Sequence, residues 1–375
     1  MTAWPKKKTL TDALLIAGIA VALLGALELG ARAGLRIRSG TWPETRMSRF
    51  YGDLTTALSL YRRHPYLNVA PREATRARAF GREASFNALG YRSSERPLTK
   101  PEGVVRILCA GGSTTFDILA ARDEETWPWR LEGKLRGRGL PVEVWNAGFP
   151  GWTSLENLIS LAIRDRDLGP DWIVLFQGIN DLQPASHQPF DRQYERGHAE
   201  IAHRALGFEL EPLAWHQRSL LLERLRDLLW GVENPWDALS SPSPPVAPLT
   251  TLPASAVAAY ERNLRSLAAV GKDQGARILL VPQTLRLRDE QAEADRTLLS
   301  DWIPGVVPEG ALRVLEQLND VERRLAAEGV ARLAEPDYPT WPDTSWGDAM
   351  HFSAEGSERF ATFLEGILLR ELTGE

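Results

Sequence analysis

Three residues have the types and spacing of a nucleophile with its base: Ser113, and the pair Asp348 and His351 near the far end of the chain. Ser113 stands in Gly111-Gly112-Ser113-Thr114-Thr115, after the apolar run 104–109, which reads as a buried strand. A serine on the glycine-rich turn leaving such a strand has its hydroxyl exposed at the sheet edge. In Asp348-Ala349-Met350-His351 the carboxylate and the imidazole are one helical turn apart. The carboxylate can hold one ring nitrogen while the other faces a hydroxyl, the arrangement that activates a serine against an ester. Each piece alone has a plainer reading. Gly-Gly-Ser-Thr-Thr would serve as a capped strand-to-helix connection. Asp-x-x-His would serve as a helix cap beside a surface histidine, or as half of a metal site, but no second His or Cys cluster sits at ligand spacing.

Two further turns supply what ester chemistry needs. Asn146-Ala147-Gly148 leaves a second strand at 142–145, and Gly178-Ile179-Asn180-Asp181 leaves a third at 172–176. An oxyanion forming on an attacked ester needs preorganised donors about 3 Å away, each worth about 3 kcal/mol of barrier. The backbone N–H of Ser113, the backbone N–H of Gly148 and the side-chain amide of Asn180 are suitable donors. In a parallel sheet all three turns open on the same carboxyl edge.

The order Ser, Gly, Asn and then Asp-x-x-His resembles the SGNH hydrolase superfamily, also called GDSL esterases, from about residue 86 to the C-terminus. Carried over, the resemblance makes Ser113 the nucleophile and His351 the general base, oriented by Asp348, with Gly148 and Asn180 completing the oxyanion hole. One departure is that Gly112 stands where the commonest first block has Asp before the serine. The Gly-Gly-Ser-Thr-Thr form, with Asn87-Ala88-Leu89-Gly90-Tyr91-Arg92 upstream, looks like a membrane-anchored bacterial branch whose substrates are poorly defined.

Composition agrees with a globular enzyme. Of 375 residues, 43% are apolar and 25% charged, and the net charge of -5 with no basic stripe argues against nucleic acid as a partner. The single Cys109 reads as a small buried hydrophobe and excludes an intramolecular disulfide. No cofactor or metal is expected. Five tryptophans (Trp127, Trp129, Trp152, Trp341, Trp346) lie close to the motif blocks in sequence and read as core or rim, with a sugar-binding face as the alternative.

The N-terminus bears on location. Lys6-Lys7-Lys8 precedes the stretch 13–27, which holds no charged or strongly polar residue. Extended to Ala31, with Glu28 its single charge, the stretch is roughly 28 Å long as a helix, about the hydrocarbon thickness of a bilayer. It reads as an inner-membrane anchor with the catalytic domain outside the cytoplasm. The competing reading is a signal segment cleaved near Ala31-Arg32-Ala33, which would release the enzyme. Arg32, Arg36 and Arg38 blur the charge asymmetry that would fix orientation.

The remainder divides coarsely into the anchor at 1–35, a juxtamembrane segment at 36–100 rich in Arg and broken by Pro65, Pro71 and Pro97, and a hydrolase domain at 101–375. Further strands are expected at 276–281 and 330–333, with helices opening near Thr126 and Ser154 and others at 254–270, 310–328 and 353–372. Such alternation specifies a parallel sheet covered on both faces. The expected fold is thus α/β, a three-layer α/β/α flavodoxin-like sandwich around a central, mostly parallel five-stranded sheet. An insertion at 182–253 interrupts it, carrying His187, His198, His203 and His216, an amphipathic helix at 218–230 and the Pro-rich stretch 241–248. It reads as a lid over the site or as a surface helical excursion. A second insertion is expected at 285–308.

The expected activity is serine esterase chemistry on acyl esters, acetyl above all, on a small molecule or an envelope or exported saccharide. Two alternatives stay open: a saccharide O-acyltransferase using the same site, and a catalytically idle membrane-tethered scaffold of an export system.

Overall fold

The computed structural model describes residues 6–39, 60–62, 64–67, 69–79, 82–187, 189–194, 219–230, 249–303 and 305–374. Along the chain, α1 (Lys6–Ser39) is followed by two short antiparallel pairs, β1 (Tyr61–Arg62) with β2 (Ala70–Pro71) and β3 (Thr75–Ala79) with β4 (Arg82–Phe86). The α/β repeat begins with β5 (Val105–Gly111), α2 (Ser113–Phe116), α3 (Trp127–Gly137), β6 (Val142–Asn146), α4 (Ser154–Ile163), β7 (Trp172–Phe176) and α5 (Leu182–Ser186). After α6 (Leu220–Trp230) come α7 (Ala254–Asp273), β8 (Arg277–Leu280), α8 (Ala292–Trp302), α9 (Pro308–Ala327), β9 (Arg332–Leu333) and α10 (Ala354–Thr373).

Two compact units result: Met1–Thr56 with Arg204–Ser241, and Ala57–His203 with Pro242–Glu375. In the larger unit, five strands form one parallel sheet in the order β6-β5-β7-β8-β9. The expected α/β fold is therefore present, with helices on both faces. Alternation along β5 shows why. Leu108 and Ala110 face a core shared with Leu161 of α4, Leu264 of α7 and Leu315 of α9. Ile107 and Cys109 face another, shared with Leu131 of α3 and Phe360 and Leu364 of α10. The central strand β7, Trp-Ile-Val-Leu-Phe, is buried along its whole length and so reads as an unbroken apolar run.

Local sequence sets the helix starts. Thr153 and Glu156 form a reciprocal capping box at α4, and Ser353 Oγ accepts the Gly356 N–H at the start of α10. The order reverses between β5 and β7, so the crevice at their carboxyl ends is the switch point where ligands of such sheets bind.

The described residues between 60 and 100 are more ordered than their prolines suggest. They form the pairs β1–β2 and β3–β4 and pack on the sheet-bearing unit, where Trp152 Nε1 donates to Val69 O at 2.9 Å and the Tyr61 ring meets Phe149. In the smaller unit, the segment Thr11–Gly34 of α1 is long and apolar enough to cross a membrane, with a mean hydropathy of 2.2 and none of it buried. Of the 182–253 insertion, α5 and residues 189–194 belong to the larger unit, with Leu182 fully buried, whereas α6 belongs with α1. His198, His203, His216 and the stretch 241–248 lie outside the described residues.

Candidate active site

β5 ends at Gly111, and Ser113 opens the short helix α2 directly beyond it. The Ser113 Oγ lies 2.8 Å from Nε2 of His351, a residue 238 positions away in sequence. His351 Nδ1 lies 2.9 and 2.8 Å from the two carboxylate oxygens of Asp348. Asp348 Oδ1 also accepts the backbone N–H groups of Met350 and His351, each at 2.8 Å. Burial alone would raise the Asp348 carboxyl, but the neighbouring imidazole and these hydrogen bonds outweigh it and hold it below the usual carboxylate range. The second insertion braces this turn. Arg286 N donates to Ala349 O and Arg288 Nη1 to Gly347 O, while Arg288 is itself paired with buried Asp295.

Asn180 is brought to the same place from the end of β7. Its Nδ2 donates to Trp152 O at 2.8 Å, which occupies one of its two N–H bonds and leaves the other for the cavity it lines with Ser113 and His351. Gly112 makes room for it, since a Cβ there would collide with Nδ2 of Asn180. The Ser113 N–H, at the first position of α2, takes no acceptor among the described residues.

Gly148 does not join this group. Its N–H donates to Asn146 Oδ1 at 3.0 Å, closing a turn of its own. A Cβ at Gly148 would collide with the backbone N of Phe116 and stand 2.6 Å from the carbonyl carbon of Thr115, so this glycine lets β6's turn pack on α2. The turn offers another glycine, which the sequence reading passed over. Gly151 has φ of +85°, its N–H takes no acceptor among the described residues, and it directly precedes the Trp152 carbonyl that holds Asn180. The signal was the second glycine in Gly148-Phe149-Pro150-Gly151.

Behind these groups lies a buried polar network. Gln177 Nε2 donates to Trp152 O at 3.2 Å and to Asp181 Oδ2 at 2.8 Å. Gln283 Oε1 accepts the Ile179 N–H, and its Nε2 donates to Thr114 Oγ1. Tyr260 Oη stands 3.1 Å from Gln177 O and 2.6 Å from Glu322 Oε1. One phenolic proton cannot serve both acceptors. Burial pushes the Glu322 carboxyl up to about 8, so at neutral pH it carries a proton to donate to Tyr260, whose own proton goes to Gln177 O.

The upstream motif has a structural task. Asn87 Oδ1 accepts the N–H groups of Leu89 and Tyr91, and Tyr91 Oη donates to Asp165 at 2.5 Å. Arg92 is buried and donates to Phe116 O, Asp117 O, Glu83 O and the Asp123 carboxylate, so it closes the C-terminal end of α2. Trp127, Trp152, Trp341 and Trp346 are buried, which makes them core and not a sugar-binding face, whereas Trp129 is half-buried. Among the described residues no group of three or more His, Cys, Asp or Glu could hold a metal ion.

Residues 109–359 match the model of the GDSL-like lipase/acylhydrolase family. Among solved structures, a lipase/acylhydrolase from Enterococcus faecalis aligns with a TM-score of 0.42 at 16% identity, covering 70% of this chain and 95% of its own. A variant of an acetyl-xylooligosaccharide esterase from Geobacillus Stearmophilus aligns with a TM-score of 0.40 at 16% identity, covering 71% and 93%. A GDSL-like lipase from Bacteroides thetaiotaomicron gives a TM-score of 0.37 at 10% identity, covering 71% and 88%. No curated protein matches. With the family model spanning most of the chain, the protein belongs to the GDSL-like lipase/acylhydrolase family of serine hydrolases that act on esters.

Proposed function

We propose that the protein is a serine esterase that removes short acyl groups, acetyl first among them, from saccharide esters outside the cytoplasm. The observation that carries this reading is the Ser113–His351–Asp348 chain of contacts at 2.8–2.9 Å. With Nδ1–H directed at the ionised Asp348, Nε2 accepts the Ser113 hydroxyl proton as Oγ attacks the acyl carbon. The oxyanion is met by the Ser113 N–H, the free N–H of Asn180 and the N–H of Gly151 in place of Gly148. Collapse breaks the ester C–O bond, and His351 returns its proton to the departing alcohol. Water, deprotonated by His351, then attacks the acyl-enzyme, releasing the acid and restoring Ser113.

A short acyl group is favoured by space. The cavity at Ser113 and His351 is about 10 Å3, room for about one water molecule and far below the roughly 300 Å3 at which pockets for drug-sized ligands begin. The apolar segment Thr11–Gly34 suits a membrane anchor, and an enzyme held on the outer side of that membrane would meet envelope or exported saccharide esters. The test is a series of p-nitrophenyl acetate, butyrate and octanoate with the wild-type chain and Ser113→Ala, alongside acetylated saccharides and a fluorophosphonate label. Acetate turnover that falls with chain length and label lost in Ser113→Ala support the reading. A preference for octanoate would overturn the short-acyl assignment, and label or turnover persisting in Ser113→Ala would overturn the nucleophile.

A further inference from the structure

Glu28 is the acidic residue inside the apolar stretch of α1, and it is engaged by α6. Its carboxylate accepts the backbone N–H groups of Leu220 at 3.0 Å and Leu221 at 3.1 Å, the Ser219 hydroxyl at 3.0 Å, and Arg32 Nε at 2.8 Å. The first N–H groups of any helix lack intrahelical acceptors, so a side chain of α1 caps α6 from outside. Leu220 is buried. Leu222, Leu225 and Leu229, at i, i+3 and i+7, form one stripe with 46%, 50% and 60% of their surfaces exposed. Helical periodicity sets positions 223, 224 and 227, which are Glu, Arg and Asp, on the remaining arc.

We propose that α6 lies in the plane of the membrane surface, its Leu222–Leu225–Leu229 stripe facing the acyl boundary, and that Glu28 ties it to α1. The inference rests on the reading of α1 as a retained anchor. Two observations select lipid as the occupant of the stripe. The helix that Glu28 joins to α6 is itself apolar and exposed, since Leu14, Leu15, Leu23 and Leu24 of α1 are each more than half exposed. The Glu28–Arg32 pair also marks the level where α1 leaves hydrocarbon, because ionised side chains avoid the bilayer centre and partner at its edge. A helix starting at that level, with an exposed leucine stripe on one arc and charged residue types at the sequence positions opposite, has the form of an interfacial amphipathic helix.

The test uses the full chain, with Cys109→Ala removing its cysteine, in vesicles of phosphatidylcholine and phosphatidylglycerol. Single nitroxide-labelled cysteines replace Leu222, Leu225, Leu229, Glu223, Asp227 and, in α1, Leu23. An oxygen-to-nickel-chelate accessibility ratio severalfold higher at 222, 225 and 229 than at 223 and 227 is expected, with a high ratio at 23. Adding Glu28→Leu should increase label mobility at 225 and leave 23 unchanged. A high ratio at 23 with aqueous values along the whole of α6 overturns the proposal and leaves the anchor standing. Labels at 222, 225 and 229 shielded from both reagents place a protein surface or a second copy on the stripe, and also overturn it. An aqueous value at 23, or a mature N-terminus beyond Ala33, removes the anchor and the proposal with it.

Discussion

Gly112 and Asn180 occupy one another's space: a Cβ on Gly112 would collide with the side-chain amide nitrogen of Asn180, which itself is fixed by the Trp152 carbonyl at 2.8 Å. The absence of a side chain before the serine is therefore matched to the position of the amide proposed as an oxyanion donor. Gly112→Ala should displace that amide and lower kcat about 100-fold, the scale of losing one oxyanion donor, with KM little changed. Steady-state kinetics on p-nitrophenyl acetate checks this, and Asn180→Ala should give a loss of the same size. A double variant no worse than either single one would show that both act through the same donor.

The contacts of His351 set a graded expectation. Ser113→Ala and His351→Ala should each lower kcat by about 10⁴-fold or more while the fold is kept, and the double variant should lose little beyond either. Asp348→Asn should cost roughly 10³–10⁴-fold, because the amide keeps the size of the carboxylate but loses its charge and one acceptor toward Nδ1. Activity insensitive to chelators accompanies this expectation. Full inhibition by a chelator would move the chemistry to a metal.

The two glycines of the β6 turn should separate by phenotype. Gly148→Ala forces a methyl against the backbone of Thr115 and Phe116, and should lower the melting temperature together with activity. Gly151→Ala meets open space, so its cost is confined to the backbone at φ +85°, about 1–2 kcal/mol. A Gly151→Ala protein that stays folded but loses kcat would tie that N–H to the oxyanion. Unchanged kcat would remove it.

Glu322 predicts a pH dependence. Its folded carboxyl, raised by burial to about 8 from 4.5, binds a proton more tightly in the native state than in the unfolded chain. Its contribution to stability is therefore fully present below pH 4.5 and is lost as pH rises through about 8, on the order of a few kcal/mol. Glu322→Gln supplies a permanent donor to Tyr260 and should flatten that part of the stability profile, measured by denaturant midpoints from pH 5 to 9. An identical slope in the variant would assign the decline to other groups.

Much of this was legible in the chain. The central strand β7 is buried along its whole length, so it stands out as an apolar run, and the residues that carry chemistry follow the sheet strands within a few positions. Asp348 and His351 were readable because their one-turn spacing allows a carboxylate to meet an imidazole within a single turn, which the contacts of Arg286 and Arg288 then brace. The choice between Gly148 and Gly151 was not readable, since it depends on which N–H the Asn146 side chain consumes. Residues 60–100 read as a broken linker because their strands are short and charged, and what orders them is contact with distant residues such as Trp152 and Asp123. What the leucine stripe of α6 faces is not readable either, since hydropathy does not distinguish a face that meets protein from one that meets lipid.

Arg92 has a practical consequence. The family match starts at Cys109, yet the last carbonyls of the nucleophile's helix, Phe116 O and Asp117 O, are held by a guanidinium that lies upstream and is itself fastened to the Glu83 carbonyl. A fragment trimmed to the recognised family boundaries would remove the charged donor that both share, leaving Phe116 O with Asn146 Nδ2 at 3.4 Å and Asp117 O with the Ala120 N–H at 3.0 Å. A working esterase cut from this chain is therefore expected to begin before β3, with its N-terminal hairpin retained as a catalytic accessory.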